Sequence, residues 1–225
     1  MRLFTLTKLE LKLLFKEGII YLYALLGIIY LAILFLIPTG YRTKAGVLLI
    51  FTDPAAMGLF FMGSVILLEK SQRVFSSLSI TPIKSLEYVI AKSLAFLLLG
   101  YIVSLLLYLT FRENLLAITL SVLLTSLFFS FTAIALALNS ASLNGFLALS
   151  IGAEILLCSP SILFFFKIIK SRIWLLHPGV ASISLMLNKE VGYSILSLFV
   201  WTSLSFLVAN KETKKALVEN RKCAL

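Results

Sequence analysis

Six continuous apolar blocks divide the chain, at residues 18–38, 47–68, 85–110, 115–138, 145–166 and 191–209, with short polar stretches between them. At about 1.5 Å of rise per helical residue, each block is long enough to cross a hydrocarbon layer of ~30 Å. All six are predicted to be helices, because a membrane β-barrel alternates polar and apolar positions in strands of about ten residues. The first seventeen residues carry a different pattern. Lys8, Lys12 and Lys16 share one helical face, while Leu3, Leu6, Leu9, Leu13 and Leu14 gather on the other, which predicts an amphipathic helix lying at the membrane surface. A cleaved signal peptide is not expected, since the block from Gly18 to Pro38 is too long for a signal core and lacks a small-residue cleavage site.

Residues 167–190 fit neither pattern. Lys167, Lys170, Arg172 and Lys189 are interleaved with Ile168, Ile169, Ile173, Trp174, Leu175 and Leu176 and, after His177-Pro178-Gly179, with Ile183, Leu185, Met186 and Leu187. Two short helices dipping into the outer leaflet and turning at Pro178-Gly179 account for both the charge and the apolar content. The expected fold is therefore an all-α integral membrane protein. It has an interfacial helix at 1–17, a transmembrane domain of six helices at 18–209 with a re-entrant outer segment at 167–190, and a basic tail at 210–225.

Composition strengthens this reading. Of 225 residues 60% are hydrophobic and 13% charged, too much apolar surface for one water-soluble core. The formal charge of +10 is spread over loops and ends with no soluble domain to carry it, so anionic lipid head groups are the expected partner and nucleic acid is not. With both termini in the cytoplasm, the inner segments hold twelve Lys and Arg residues: Arg2, Lys8, Lys12 and Lys16, then Lys70, Arg73 and Lys84, then Lys211, Lys214, Lys215, Arg221 and Lys222. The outer segments hold seven, Arg42, Lys44, Arg112, Lys167, Lys170, Arg172 and Lys189. This bias predicts a multi-pass protein of the cell membrane with residues 39–46 and 111–114 outside and both ends inside. Cys158 lies in an apolar block and Cys223 in the tail, so neither a disulfide framework nor a thiolate metal site is expected.

Catalytic signatures are missing from the sequence. No glycine precedes a lysine, so there is no phosphate-cradling loop, and neither H-E-x-x-H nor G-x-S-x-G occurs. The single histidine, His177, is read as structural. No catalytic residue, metal or resident cofactor is assigned to this chain. Two carboxylates fall inside apolar blocks, Asp53 before Pro54 and Glu154 in the fifth. Charge at such depth must be paired, neutralised or hydrated, so both are candidates for lining a translocation path, with hydrogen-bonded packing as the plainer alternative. The fifth block opens with small residues, and Ala141, Gly145, Ala148 and Gly152 recur on one helical face, which lets another backbone approach closely.

The polar connection from Glu69 to Lys84 is the most specific stretch. Helical spacing puts Val74, Phe75 and Leu78 on one side with Arg73, Ser76 and Ser77 around them, so either a short helix offers an apolar knob to a partner or an ordinary loop carries incidental hydrophobes. Thr81 is placed to cap a new helix beginning at Pro82 and running through Glu87, Tyr88, Ala91 and Lys92.

Glu69, Leu78, Thr81-Pro82-Ile83, Tyr88 and Lys92, in this layout of interfacial helix and six spans, resemble the membrane subunits of ATP-binding-cassette exporters of the type-2 permease family. The layout covers nearly the whole chain and the motif about 24 residues; where the family often has Gly-Thr after the opening Glu, this chain has Arg73-Val74. The resemblance implies that 69–84 is a coupling helix, with Glu69, Phe75, Leu78, Thr81 and Pro82 meeting the ATPase. It also implies two separate ATPase subunits that bind ATP and Mg, a second permease copy or related permease, and a dimer interface involving the first and fifth spans. The expected function is then export of a hydrophobic drug, an antimicrobial peptide or a lipid-linked molecule. The alternative is an ion- or proton-coupled secondary transporter working through Asp53 and Glu154; an intramembrane enzyme, lacking a visible nucleophile and base, comes third.

Overall fold

A computed structural model of the chain describes residues 2–52, 58–79, 81, 83–111, 114–169 and 171–224. Among these every regular element is helical. In order they are α1 (Arg2–Lys16), α2 (Ile19–Leu36), α3 (Thr39–Thr52), α4 (Gly58–Ser71), α5 (Val74–Ser79), α6 (Ser85–Tyr108), α7 (Leu115–Asn139), α8 (Leu143–Phe165), α9 (Pro178–Met186) and α10 (Val191–Ala224), with a 3-10 turn at Arg172–Leu176 before α9.

Five of the helices, α2, α6, α7, α8 and α10, are long and apolar enough to cross a membrane. Of the sixth expected span, the block 47–68, the described residues lie in α3 up to Thr52 and in α4 from Gly58, each of fourteen residues, or about 21 Å. Helix α3 also begins earlier than expected. Thr39–Gly46, read as a loop, is helical because the chain turns at Pro38, where Tyr41 N–H donates to the Pro38 carbonyl at 3.0 Å and Arg42 Nη2 to the Ile37 carbonyl at 3.2 Å. Val47, Ile50 and Phe51 then fall on one buried face.

The pair α6 and α7 forms the middle of the bundle. In each, 61% of the most apolar window is buried, against 17% in α2 and 22% in α8 and α10, so those three present most of their surface outward. Helix α7 packs on α4, α6, α9 and α10. Its fully buried Phe129 and Ile134 belong to a core that also holds Phe51, Leu59, Met62, Ile66 and Phe146. Gly63 of α4 faces the Phe146 ring of α8 so closely that a Cβ would collide with it, which is how α8 is brought against the bundle. Gly18, between α1 and α2, has φ of 82°, a left-handed conformation suited to glycine, and the surface helix turns there into the first span.

At the C-terminal end of the bundle, α10 does not stop where apolar sequence gives way to polar. It runs unbroken for 34 residues, about 51 Å, so the tail expected as a separate unit from residue 210 is a helical extension. Helix α5 packs against it, and Ser85 Oγ at the start of α6 donates to Asn210 Oδ1 at 2.8 Å.

The segment 167–190 contains one short helix and one 3-10 turn. The 3-10 helix and α9 are the two short helices expected here, with His177 between them and Pro178 at the first position of α9, as its preset φ and missing N–H favour. Every residue of α9 is buried, among α3, α7, α8 and α10. Its polar groups are satisfied sideways: Ser121 Oγ donates to the Ser182 carbonyl at 2.9 Å and Thr125 Oγ1 to Ser182 Oγ at 2.8 Å. Ser197 Oγ and Trp201 Nε1 of α10 both donate to the Leu176 carbonyl, at 3.0 and 2.7 Å.

Candidate functional site

Charge and aromatic residues meet where α1, α4, α5 and α6 converge. Lys92, near the start of α6, is fully buried, and its ammonium donates to Glu69 Oε1 at 2.6 Å and to Glu10 Oε2 at 2.8 Å. Tyr88, one turn before it, donates its hydroxyl to the other Glu69 oxygen at 2.6 Å. The ammonium also lies 5.3 Å from the centre of the Tyr88 ring, within the range of cation–π attraction. One cation thus ties the last turn of α4 to the middle of α1 through the first turns of α6. Burial raises the Glu10 carboxyl above the usual range, against the opposing pull of the Lys92 ammonium. A buried ion pair adds little net stability, yet removing one partner leaves an uncompensated charge and is costly. The cluster therefore fixes how these helices sit, and mixing its charges changes that arrangement.

The aromatic half of the cluster grips α5. Phe75 is only 2% exposed and meets Tyr88 edge to face with centroids 5.5 Å apart. This corrects the expectation of a free apolar knob: Phe75 points inward, Leu78 is half-buried against the same core, and the exposed residues of this corner include Ser71, Gln72, Arg73 and Ser77. Glu69 is corrected in the same sense. It ends α4 rather than opening the short helix, and its carboxylate is turned into the chain toward Lys92 and Tyr88. Between the two helices Arg73 adopts φ of 56°. Glycine is the residue for which that conformation costs least.

Thr81 also differs from its expected part. Its hydroxyl donates to the Leu78 carbonyl at 2.7 Å and its N–H to the same oxygen at 3.1 Å, so it closes α5 instead of capping the next helix. Helix α6 starts at Ser85, where the Glu87 carboxylate accepts the Lys84 N–H at 2.9 Å, a short-range cap that stabilises the first turn. Pro82 and Asp53 lie outside the described residues. The participant that sequence reasoning missed is Glu10. An acid within a lysine-rich surface helix reads as part of the solvated face, and only the packing of α1 on α6 turns it inward.

The small-residue stripe of α8 is open. Ala141, Gly145, Ala148 and Gly152 are all exposed, but Ala141 precedes the helix, which is capped by Ser142, so the helical face holds only the other three; a Cβ at Gly152 would meet nothing within 4 Å, and at Gly145 only the Ser142 hydroxyl. Glu154 is half-buried on α8. At about 100° per residue it lies roughly 200° around the helix from Gly152, at the margin of the face that holds Phe146, Ser150 and Leu157. Among the described residues no cluster of His, Cys, Asp and Glu is assembled that would hold a metal ion.

No known family model matches the chain. Over 91 residues, 40% of its length, it is 32% identical to proteins from two strains of Mycobacterium tuberculosis, each named a fluoroquinolones export permease protein. The matched stretch spans 38% of the length of those relatives. The chain is thus a helical protein built for the membrane that shares part of its sequence with drug-export permeases.

Proposed function

We propose that this chain is the membrane-spanning permease of an exporter of the ATP-binding-cassette type, driven by separate ATPase subunits docked at the end where α1, α5 and the α10 extension lie. The observation that carries the proposal is the grip on α5. A six-residue helix at the end of an apolar bundle is held through Phe75 to Tyr88, and through Tyr88 to the Glu69–Lys92–Glu10 cluster. Such a helix transmits force. A partner pressing on Arg73 and Ser77 moves α4, α6 and α1 together, because the contacts behind α5 are buried and charged rather than compliant. The partial similarity to fluoroquinolone export permeases supports the same direction of transport.

In this reading both termini are cytoplasmic, the open stripe Ala141, Gly145, Ala148 and Gly152 meets a second permease copy, and α9 with the preceding 3-10 turn dips into the outer leaflet. ATP and Mg belong to the ATPase, and the substrate is a hydrophobic drug or antimicrobial peptide. Alternating access follows from differential contact of the ATPase with two arrangements of the permease pair. Glu154 and Asp53 are retained as candidates for the path.

The test is co-expression with a candidate ATP-binding-cassette ATPase from the same organism, followed by purification through the permease. Stable association and ATP hydrolysis that rises with an amphipathic drug are expected. Saturable ATP binding by the isolated permease, or drug export that persists without any ATPase and follows a proton gradient, would overturn the proposal.

A further inference from the structure

The far end of the bundle gathers three lysines around one cavity. A space of about 340 Å³ is lined by Lys44 of α3, by Phe164 and Phe165 at the end of α8 with Lys167 just beyond, and by Leu187 and Lys189 after α9. All three lysines are exposed, and among the described residues none has a carboxylate partner. Glu190, the acid that follows Lys189, is paired with Arg172 at 3.0 Å. A lysine that merely caps a helix looks different here: Lys70 donates to the carbonyls of Leu138 and Ser140 at the end of α7, at 3.2 and 2.8 Å. The ends of α8 and α9 need no such help. Lys167 and Asn188 adopt left-handed φ of 60° and 55°. Backbone N–H groups close both helices, from Lys167 to the Phe164 carbonyl at 2.9 Å and from Lys189 to the Ser184 carbonyl at 2.8 Å, in the pattern of a left-handed helix cap.

Three exposed lysines lining one opening, with two phenylalanines in its wall, suit an anion that carries an apolar tail. The same lysines are among those that weaken the inside bias of positive charge, so their convergence gives that departure a use. We infer that this cavity binds the phosphate head group of an anionic phospholipid, with the acyl chain against Phe164 and Phe165. The inference does not depend on an ATPase partner and stands or falls separately from the proposed export function.

The experiment titrates the full-length protein, purified in detergent, with phosphatidylglycerol, phosphatidylcholine or inorganic phosphate, counting bound molecules by native mass spectrometry. At about one favourable charge contact per lysine, the first phosphatidylglycerol should bind at least about tenfold more tightly than phosphatidylcholine. The triple variant K44Q/K167Q/K189Q should bring that preference to within about twofold, while K44R/K167R/K189R keeps it. The surface helix α1 also carries lysines, so K8Q/K12Q/K16Q serves as control and should leave the tightest site intact. Circular dichroism and size-exclusion profiles establish that each variant is folded; should the triple Gln variant misfold, K167Q and K189Q singly should each lower the preference about twofold. A folded triple Gln variant, or both single variants, with unchanged preference would overturn the inference. So would loss of the tightest site in the α1 variant, or its complete displacement by equimolar inorganic phosphate, which would make it a plain anion site.

Discussion

Lys92 is the residue on which most of the proximal geometry depends, because it is fully buried and answers two carboxylates from different helices. Lys92→Met should destabilise the chain by about 3–5 kcal/mol, since it strands Glu10 and Glu69 without their cation. The added changes Glu10→Gln and Glu69→Gln should restore much of that loss by removing the stranded charge. Chemical unfolding in detergent, followed by helicity, measures both. A triple variant no more stable than Lys92→Met would show that the cluster holds the helices by shape rather than by charge balance. Arg73 supplies a smaller effect of opposite sign. Its φ of 56° disfavours a side chain, so Arg73→Gly should stabilise the fold by roughly 0.5–1 kcal/mol in the same measurement, after the greater freedom of glycine in the unfolded chain is set against relief of strain. The sequence motif pointed to Glu69, Tyr88 and Lys92 but not to how they meet. It carried no sign of Glu10, whose role arises only when α1 is laid on α6.

In the proposed export complex the corner at Arg73 and α5 would separate holding from docking, so buried and exposed residues there predict separate phenotypes. Phe75→Ala opens a hole beside Tyr88 and should cost about 3 kcal/mol, in the range for a buried phenylalanine, with release of α5 from the α10 extension. Arg73→Glu acts on the exposed side. It should leave stability within about 0.5 kcal/mol while lowering association with the ATPase, read by co-purification. Equal loss of stability in both variants would remove the distinction between the faces. The elements themselves were largely legible, because a continuous apolar run of about twenty residues has few structural outcomes. The departures share one physical reason: hydropathy marks where a helix meets lipid, not where its hydrogen bonds stop. Helix α10 continues into Lys211, Lys214 and Lys215 because its inner positions there, Thr213, Ala216 and Leu217, still pack.

At the scale of the whole molecule, the least buried candidate spans, α2, α8 and α10, leave surface that lipid or the proposed second copy would cover. Helix α8 exposes Gly145, Ala148 and Gly152 along one side and packs Phe146, Ser150 and Leu157 on the other, while α2 leaves Tyr21, Leu25 and Ile28 outward. Lipid covers such a surface adequately, so exposure alone does not establish an interface; the small residues distinguish the α8 stripe, because lipid gains nothing from a groove that a neighbouring backbone fills. This yields a test in which fold and assembly move in opposite directions. Gly152→Leu adds a side chain into open space, since a Cβ there meets nothing within 4 Å, and replacing a mid-helix glycine should favour α8 by about 0.8 kcal/mol. In a dimer built on the stripe, the same side chain holds the two backbones apart. The expected result is a monomer at least as resistant to heat as the wild type, with dimer yield by crosslinking in liposomes reduced several-fold and drug export reduced with it. Gly63→Leu is the contrasting variant, for its Cβ would strike the Phe146 ring within the chain and should destabilise the monomer itself. If Gly152→Leu leaves both crosslinking and export unchanged, the stripe faces lipid and the second copy meets the chain elsewhere.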